Sequence, residues 1–289
     1  MLQTFRLLGQ LSPAERDTIV SGQFAGDFTP DALLDQMRTL ATFDASNDKT
    51  RGRFAGLIAI CVVAAIAALI MHNIAPLVLY ALATLSGIAA IALFVMRRRL
   101  VKVDISNNFR EVALPFLALI KQDMDADQTV TVRIDLRSPT DPKKRRGTSQ
   151  PYQHGAYTKI VDTTYSDAWF HGSAQLADGS KLRWDVTDEV CESQRTKRSR
   201  SNKSKTKTRH LKRSTIAVAL SVANKVYGVN KGLASSRHKV AVQEGAKRRT
   251  IKLTRKLKNK SLDPIDPTVL VDAVSSAYKR VAAPAGSAA

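Results

Sequence analysis

Four carboxylates, Asp185, Asp188, Glu189 and Glu192, stand within eight residues of one another in an otherwise strongly basic stretch. Paired carboxylates can act as general acid and base, or as the two acids of a glycosidase. In so cationic a setting the same acids are expected to form ion pairs with neighbouring strands, and no catalytic role is assigned to them. The five histidines, His72, His154, His171, His210 and His238, are scattered without ligand spacing, and no Cys-x-x-Cys or His-x-x-x-His accompanies them, so no metal site is expected. His171, beside Trp169 and Phe170, reads as a strand residue near the edge of a core. Phosphate-binding glycine loops, dinucleotide fingerprints and the Gly-x-Ser-x-Gly elbow are all missing, so the sequence predicts neither a cofactor nor an enzyme. Cys61 and Cys191 imply no disulfide framework and suit a reducing compartment.

The remaining chemistry is charge. Residues 130–260 hold 31 Lys and Arg against 10 Asp and Glu, whereas the rest of the chain holds 14 against 15. A positive field of this size favours anionic partners. One cluster is Lys143, Lys144, Arg145 and Arg146. A second, over residues 194–213, carries Arg195, Lys197, Arg198, Arg200, Lys203, Lys205, Lys207, Arg209, Lys212 and Arg213. A third is Lys247, Arg248 and Arg249. These side chains form the candidate surface for acidic lipid head groups or an acidic protein, with nucleic acid as the alternative. Few aromatic residues lie among them, which argues against base stacking.

What positions this surface begins with residues 54–96, where 43 consecutive residues include no Asp, Glu, Lys or Arg. One helix of that length would measure about 65 Å, twice the ~30 Å hydrocarbon core of a bilayer. The run must therefore reverse, and His72-Asn73-Ile74-Ala75-Pro76 supplies the turn, with proline suited to the first turn of a second helix. Two membrane spans are predicted, about 54–72 and 76–96. Arg51 and Arg53 precede them, and Arg97, Arg98 and Arg99 follow, while the intervening loop has no Lys or Arg. Positive-inside bias then puts both termini in the cytoplasm of a multi-pass protein of the cell membrane. Small residues four apart, such as Ala83 and Gly87, allow the spans to pack on each other or on another copy, so a homo-oligomeric membrane assembly is a further alternative.

Residues 1–50 read as a helical segment in which Ser12-Pro13 and Thr29-Pro30 start helices, the second over about 30–43, and residues 44–53 read as a polar linker. Residues 101–127 form a juxtamembrane helix, kinked or restarted at Pro115, and an acidic linker. A basic β-rich domain covers 128–260. Val130, Val132, Ile134 and Leu136 alternate with polar residues in a first strand, and 138–156 read as a basic loop. Strands follow at 157–163, 168–177 and 181–190, the last two joined through Asp178-Gly179. Residues 194–213 read either as a disordered basic loop, as blocks of like charge often are, or as a protruding cationic hairpin turning near Ser201-Asn202, and the hairpin is favoured because Lys203, Lys205, Lys207 and Arg209 alternate with Ser and Thr. Strands at 238–243 and 248–257 come next, with Asn230, Gly232 and Gly245 in turns. Residues 261–289 contain a helix from Asp266-Pro267, with Val281 on its apolar face, and a mobile tail from Ala283. The sequence thus predicts an α+β membrane protein, a two-helix transmembrane hairpin with a cytoplasmic, antiparallel β-rich domain flanked by helices. Its expected role is that of a scaffold or binding protein.

Overall fold

The computed structural model describes residues 2–71, 75–199, 202–230 and 237–282. The predicted turn at His72, Asn73 and Ile74, the turn at Gly232, and the tail from Ala283 lie outside the described residues. The chain is α+β, with two long apolar helices and an antiparallel sheet. It divides into two compact units, Met1–Ser21 with Arg38–Ile105, and Gly22–Met37 with Ser106–Ala289.

The first unit opens with two short helices, α1 (Leu2–Gln10) and α2 (Pro13–Ser21). A capping box starts α2: Glu15 Oε2 accepts from the Ser12 N–H at 2.7 Å, and Ser12 Oγ accepts from the Glu15 N–H at 3.3 Å. After strand β1 (Gln23–Phe28, part of the second unit), α3 runs without interruption from Pro30 to Ile70. The linker expected over 44–53 is therefore helix. Its polar residues recur at helical spacing and find partners inside. Asp44, Asn47 and Thr50 are buried, Thr4 Oγ1 meets Ser46 Oγ and Thr50 Oγ1 at 2.7 Å each, and Asn47 Nδ2 donates to the Leu100 carbonyl at 3.2 Å. A sequence pattern reads such residues as solvated, whereas their bonds make them an internal polar stripe.

Helix α4 (Pro76–Lys102) has proline in its first turn, as expected. The apolar stretches of α3 and α4 are 11% and 0% buried, and Val63, Ile70, Leu77, Leu85 and Ile91 present their side chains outward. Of the flanking arginines, Arg53, Arg98 and Arg99 are exposed, and Arg98 lies over the Phe94 ring at 5.1 Å. Arg97 is half-buried. Arg51 pairs with Asp104 and, at 3.5 Å, with Asp48.

In the second unit a π-helical turn (Phe109–Ala113) passes directly into α5 (Leu114–Ile120), so Pro115 restarts the helix. The strands then follow: β2 (Val130–Asp135), β3 (Arg145–Thr148), β4 (Tyr152–His154), β5 (Tyr157–Gln175), β6 (Lys181–Arg198), β7 (Ser204–Ala223), β8 (Gly228–Val229), β9 (Lys239–Glu244) and β10 (Arg248–Asn259). Helix α6 (Thr268–Tyr278) and β11 (Val281–Ala282) end the described chain. The main sheet has the order β1-β2-β5-β6-β7-β10-β9, with β3 and β4 paired along the first half of β5.

Four expectations from the sequence are corrected here. The expected loop at 138–156 contains the two short strands β3 and β4, which cover an edge of β5. The strands expected at 157–163 and 168–177 are one strand of 19 residues, interrupted by a bulge at Trp169. Val281 is not on the C-terminal helix but in β11, paired with Val229. The cationic hairpin forms, yet β5 accompanies β6 as far as Thr196, so only Lys197–Arg198 and Ser204–Lys205 form a two-stranded tip.

Alternation puts Val132, Ile134, Phe170, Leu182, Trp184, Val186, Ile216, Val218, Leu220, Ile251 and Leu253 on one buried face. Phe116 of α5 meets Trp184 at 5.4 Å and Phe170 at 5.8 Å, both edge-on, an arrangement favoured by the ring quadrupoles. Leu270, Ala273 and Ala277 of α6 cover β7 and β10.

Candidate anion-binding face

Beyond the apolar core, β6 and β7 continue as a ladder whose register pairs Ser193 with Arg209, Arg195 with Lys207, and Lys197 with Lys205. Residues directly opposite share a face, so Arg195, Lys197, Lys205, Lys207 and Arg209 all project to one side. The other side carries Gln194, Thr196, Arg198, Ser204, Thr206 and Thr208, with the Thr196 and Thr206 hydroxyls 2.8 Å apart. This two-sidedness follows from the sequence alternation. At the end of the ladder the Ser199 N–H donates to the Lys203 carbonyl at 2.9 Å, and Asn202 takes φ of 59°, which asparagine tolerates, while Ser201, the other expected turn residue, lies outside the described residues.

Like charges directly opposite across a ladder repel, and residues 194–213 contain no acid to offset them. The cationic face leads into a hollow of about 720 Å³ lined by Arg195, Arg209, Lys260, Ser193, Thr208 and Asp162, among others. Arg195 is held in place there, donating to Ser193 Oγ at 3.0 Å and lying 5.7 Å from the Tyr157 ring centre. Asp162 accepts from the Tyr152 hydroxyl at 2.8 Å. A second hollow of about 430 Å³ adjoins, sharing Cys191 and Leu211 and adding Arg146, Arg213 and Glu189. Burial, then nearby Asp162, raises the Cys191 thiol, so it stays protonated at neutral pH.

The remaining candidates divide. Lys143, Arg145 and Arg146 are exposed beside β5, and Lys203 is exposed at the turn. Arg213 is exposed opposite Glu189. Arg200 lies outside the described residues. Arg248 and Arg249 occupy the far end of β10, opposite Ala223 and Val222, with Lys247 just before it, and the three do not join this face. Arg248 Nη2 is also engaged by the Gly179 and Ser221 carbonyls at 2.7 and 2.8 Å.

Lys144 and Lys212 leave the set altogether, because both are buried. Lys144 Nζ reaches Asp167 Oδ1 at 2.8 Å, Asp135 Oδ1 at 3.3 Å and the Arg137 carbonyl at 3.0 Å. Lys212 Nζ stands 3.8 Å from Asp188 Oδ2 and donates to the Asp263 carbonyl. Asp167 and Asp188 lie directly opposite each other, so the lysines answer two buried like charges instead of a partner. Burial pushes Asp167 up to about 6 against the pull of Lys144, and raises Asp188 against that of Lys212. Burial also opposes ionisation of Asp135, but hydrogen bonds from Arg137 and the Lys144 charge hold its carboxyl below the usual range.

Asp167 therefore binds more protons folded than unfolded between about pH 4 and 6, and its contribution to stability is lost as pH rises through 6. Urea titrations should show a domain about 1 kcal/mol more stable at pH 5 than at pH 7 from this group, a rise that Asp167→Asn should flatten.

The four acids weighed for catalysis separate. Asp185 accepts from His171 at 2.7 Å, Glu192 lies 3.3 Å from His210, Asp188 is buried, and Glu189, on the face away from Asp188, is exposed opposite Arg213. Among the described residues one group of three carboxylates, Asp44, Asp48 and Asp104, has ligand-like proximity, and Arg51 pairs with two of them.

No family model, curated protein or solved structure matches this chain.

A functional assignment thus rests on the face itself. Asp167 and Lys260 carry no signal in the sequence that marks them. Lys260 follows β10 in an ordinary basic run, and Asp167 reaches the buried side only through the Trp169 bulge.

Proposed function

We propose that this chain is a membrane-anchored, non-enzymatic binding protein whose α3–α4 hairpin spans the cell membrane with both termini cytoplasmic. Its basic sheet face then engages an anionic partner. The observation that carries the anchor is the outward-facing apolar wall of both helices, whose apolar stretches are only 11% and 0% buried. Core helices of a water-soluble protein bury such side chains, whereas lipid leaves them facing outward. Support for orientation comes from Arg53, Arg98 and Arg99 at one end of the hairpin, with no cation at the other. Support for an anionic partner comes from five cations on one strand face against a single acid, Asp162, opposite Ser193 at its base.

Carbonate washing of membranes should leave the chain in the pellet, and protease outside sealed spheroplasts should spare the basic half. Release by carbonate would overturn the anchor, and digestion from outside would overturn the orientation.

A further inference from the structure

We infer that the anionic partner is duplex nucleic acid, held through its phosphodiester backbone by the face of Arg195, Lys197, Lys205, Lys207 and Arg209 with Lys260. The inference rests on the proposed anionic-partner reading and names the partner's chemistry.

Three classes of partner compete for such a face, and its side chains separate them. A protein interface has an apolar or aromatic centre and is depleted in lysine. From Gln194 through His210 the sequence holds no apolar or aromatic carbon side chain other than the histidine ring, so the hairpin part of the face has no such centre, and Leu211 and Leu262 line only the hollow at its base. An amphipathic segment that inserts at a bilayer surface buries an apolar face in the head-group boundary, and the hairpin has none, so charge alone would have to hold it on an anionic leaflet. Moreover, Arg195, Arg209 and Lys260 line a hollow, which a planar leaflet does not enter. A phosphodiester chain is narrow enough to follow it.

Nucleic-acid interfaces, in contrast, are polar and strongly positive, and take most of their hydrogen bonds from Arg, Lys, Ser, Thr, Asn and Gln to phosphate and sugar. That is the composition of both sides of this hairpin. The cations stand in successive pairs along the strands, roughly 7 Å from row to row, a linear track suited to a linear polyanion. A duplex is preferred to a single strand because stacking platforms are absent from the track. Tyr157 is taken up by Arg195, and no ring lies among the paired rows from Arg195 to Arg209. Phosphate charge would also relieve the Arg195–Lys207 and Lys197–Lys205 repulsion.

The test uses the full chain in nanodiscs of neutral lipid with a labelled 20-base-pair duplex of arbitrary sequence. With about six phosphate contacts, log affinity should fall against log salt with a slope of about −5. Lys205→Gln/Lys207→Gln/Arg209→Gln should reduce that slope to about −3 and weaken binding at least about tenfold. Lys239→Gln/Lys252→Gln/Lys256→Gln removes the same charge from exposed positions on β9 and β10 and should leave affinity within about twofold. Equal losses in the two triple variants would overturn the assigned face. Binding of phosphatidylserine vesicles or polyglutamate without the duplex would overturn the nucleic-acid inference and leave the anionic-partner reading standing. Binding of none of the three would remove both.

Discussion

Lys212→Met should destabilise the basic domain by about 3–5 kcal/mol, although lysine to methionine in an exposed strand would be nearly neutral. The reason is that Lys212 is 1% exposed and its ammonium faces Asp188, which is 0% exposed. Removing the cation leaves a buried carboxylate opposite a second one, Asp167, and takes a donor from the Asp263 carbonyl. The domain can be followed in the intact chain, because its two tryptophans, Trp169 and Trp184, both lie in this core. Urea unfolding by tryptophan fluorescence in detergent should show the loss. The double variant Lys212→Met/Asp188→Leu should recover most of it, since apolar replacement of both members of a buried pair removes the desolvation cost with the attraction. A single variant as stable as the parent would show that Lys212 is solvated and available to a ligand.

Gly172→Ala should cost about 3 kcal/mol by the same measurement, at the upper end of what overpacking a core usually costs. Gly172 lies between Val132 and Trp184 in the ladder. A Cβ there would stand 2.2 Å from Trp184 Cζ2 and 2.7 Å from the Thr131 carbonyl oxygen. The indole cannot swing away freely, because Phe116 and Phe170 hold it at 5.4 and 5.7 Å. Gly147→Ala, whose Cβ would meet only Thr164 Oγ1 at 3.8 Å, should change stability by less than about 0.5 kcal/mol. If both variants unfolded alike, the tight packing of Trp184 over Gly172 would be refuted.

Much of the architecture is legible in composition and period alone. An uncharged run too long for one span, with proline near its middle, requires two apolar helices. Period-two alternation identifies β2, the Asp178-Gly179 hairpin and the cationic strands, because on an exposed ladder each side chain's face depends only on parity. For that reason Lys205, Lys207 and Arg209 group together by their spacing alone, and β7 holds them on one side.

Other features depend on distant partners that no local pattern contains. The polar stretch at 44–53 reads as linker until Thr4 and the Leu100 carbonyl satisfy its side chains within α3. Lys144 and Lys212 look like their exposed neighbours, and only Asp135, Asp167, Asp188 and Asp263 make them internal. The bulge at Trp169 is the clearest case. One extra residue in β5 moves Asp167 opposite Asp188, and it reverses which parity faces the core, while the alternation on either side looks undisturbed. Sequence therefore determined the apolar helices, the strands and where the positive charge accumulates, since these follow from residue type and period. Tertiary structure decided which cations remain available to a ligand and which neutralise buried acids, because burial of a charge is set by what long-range pairing brings beside it.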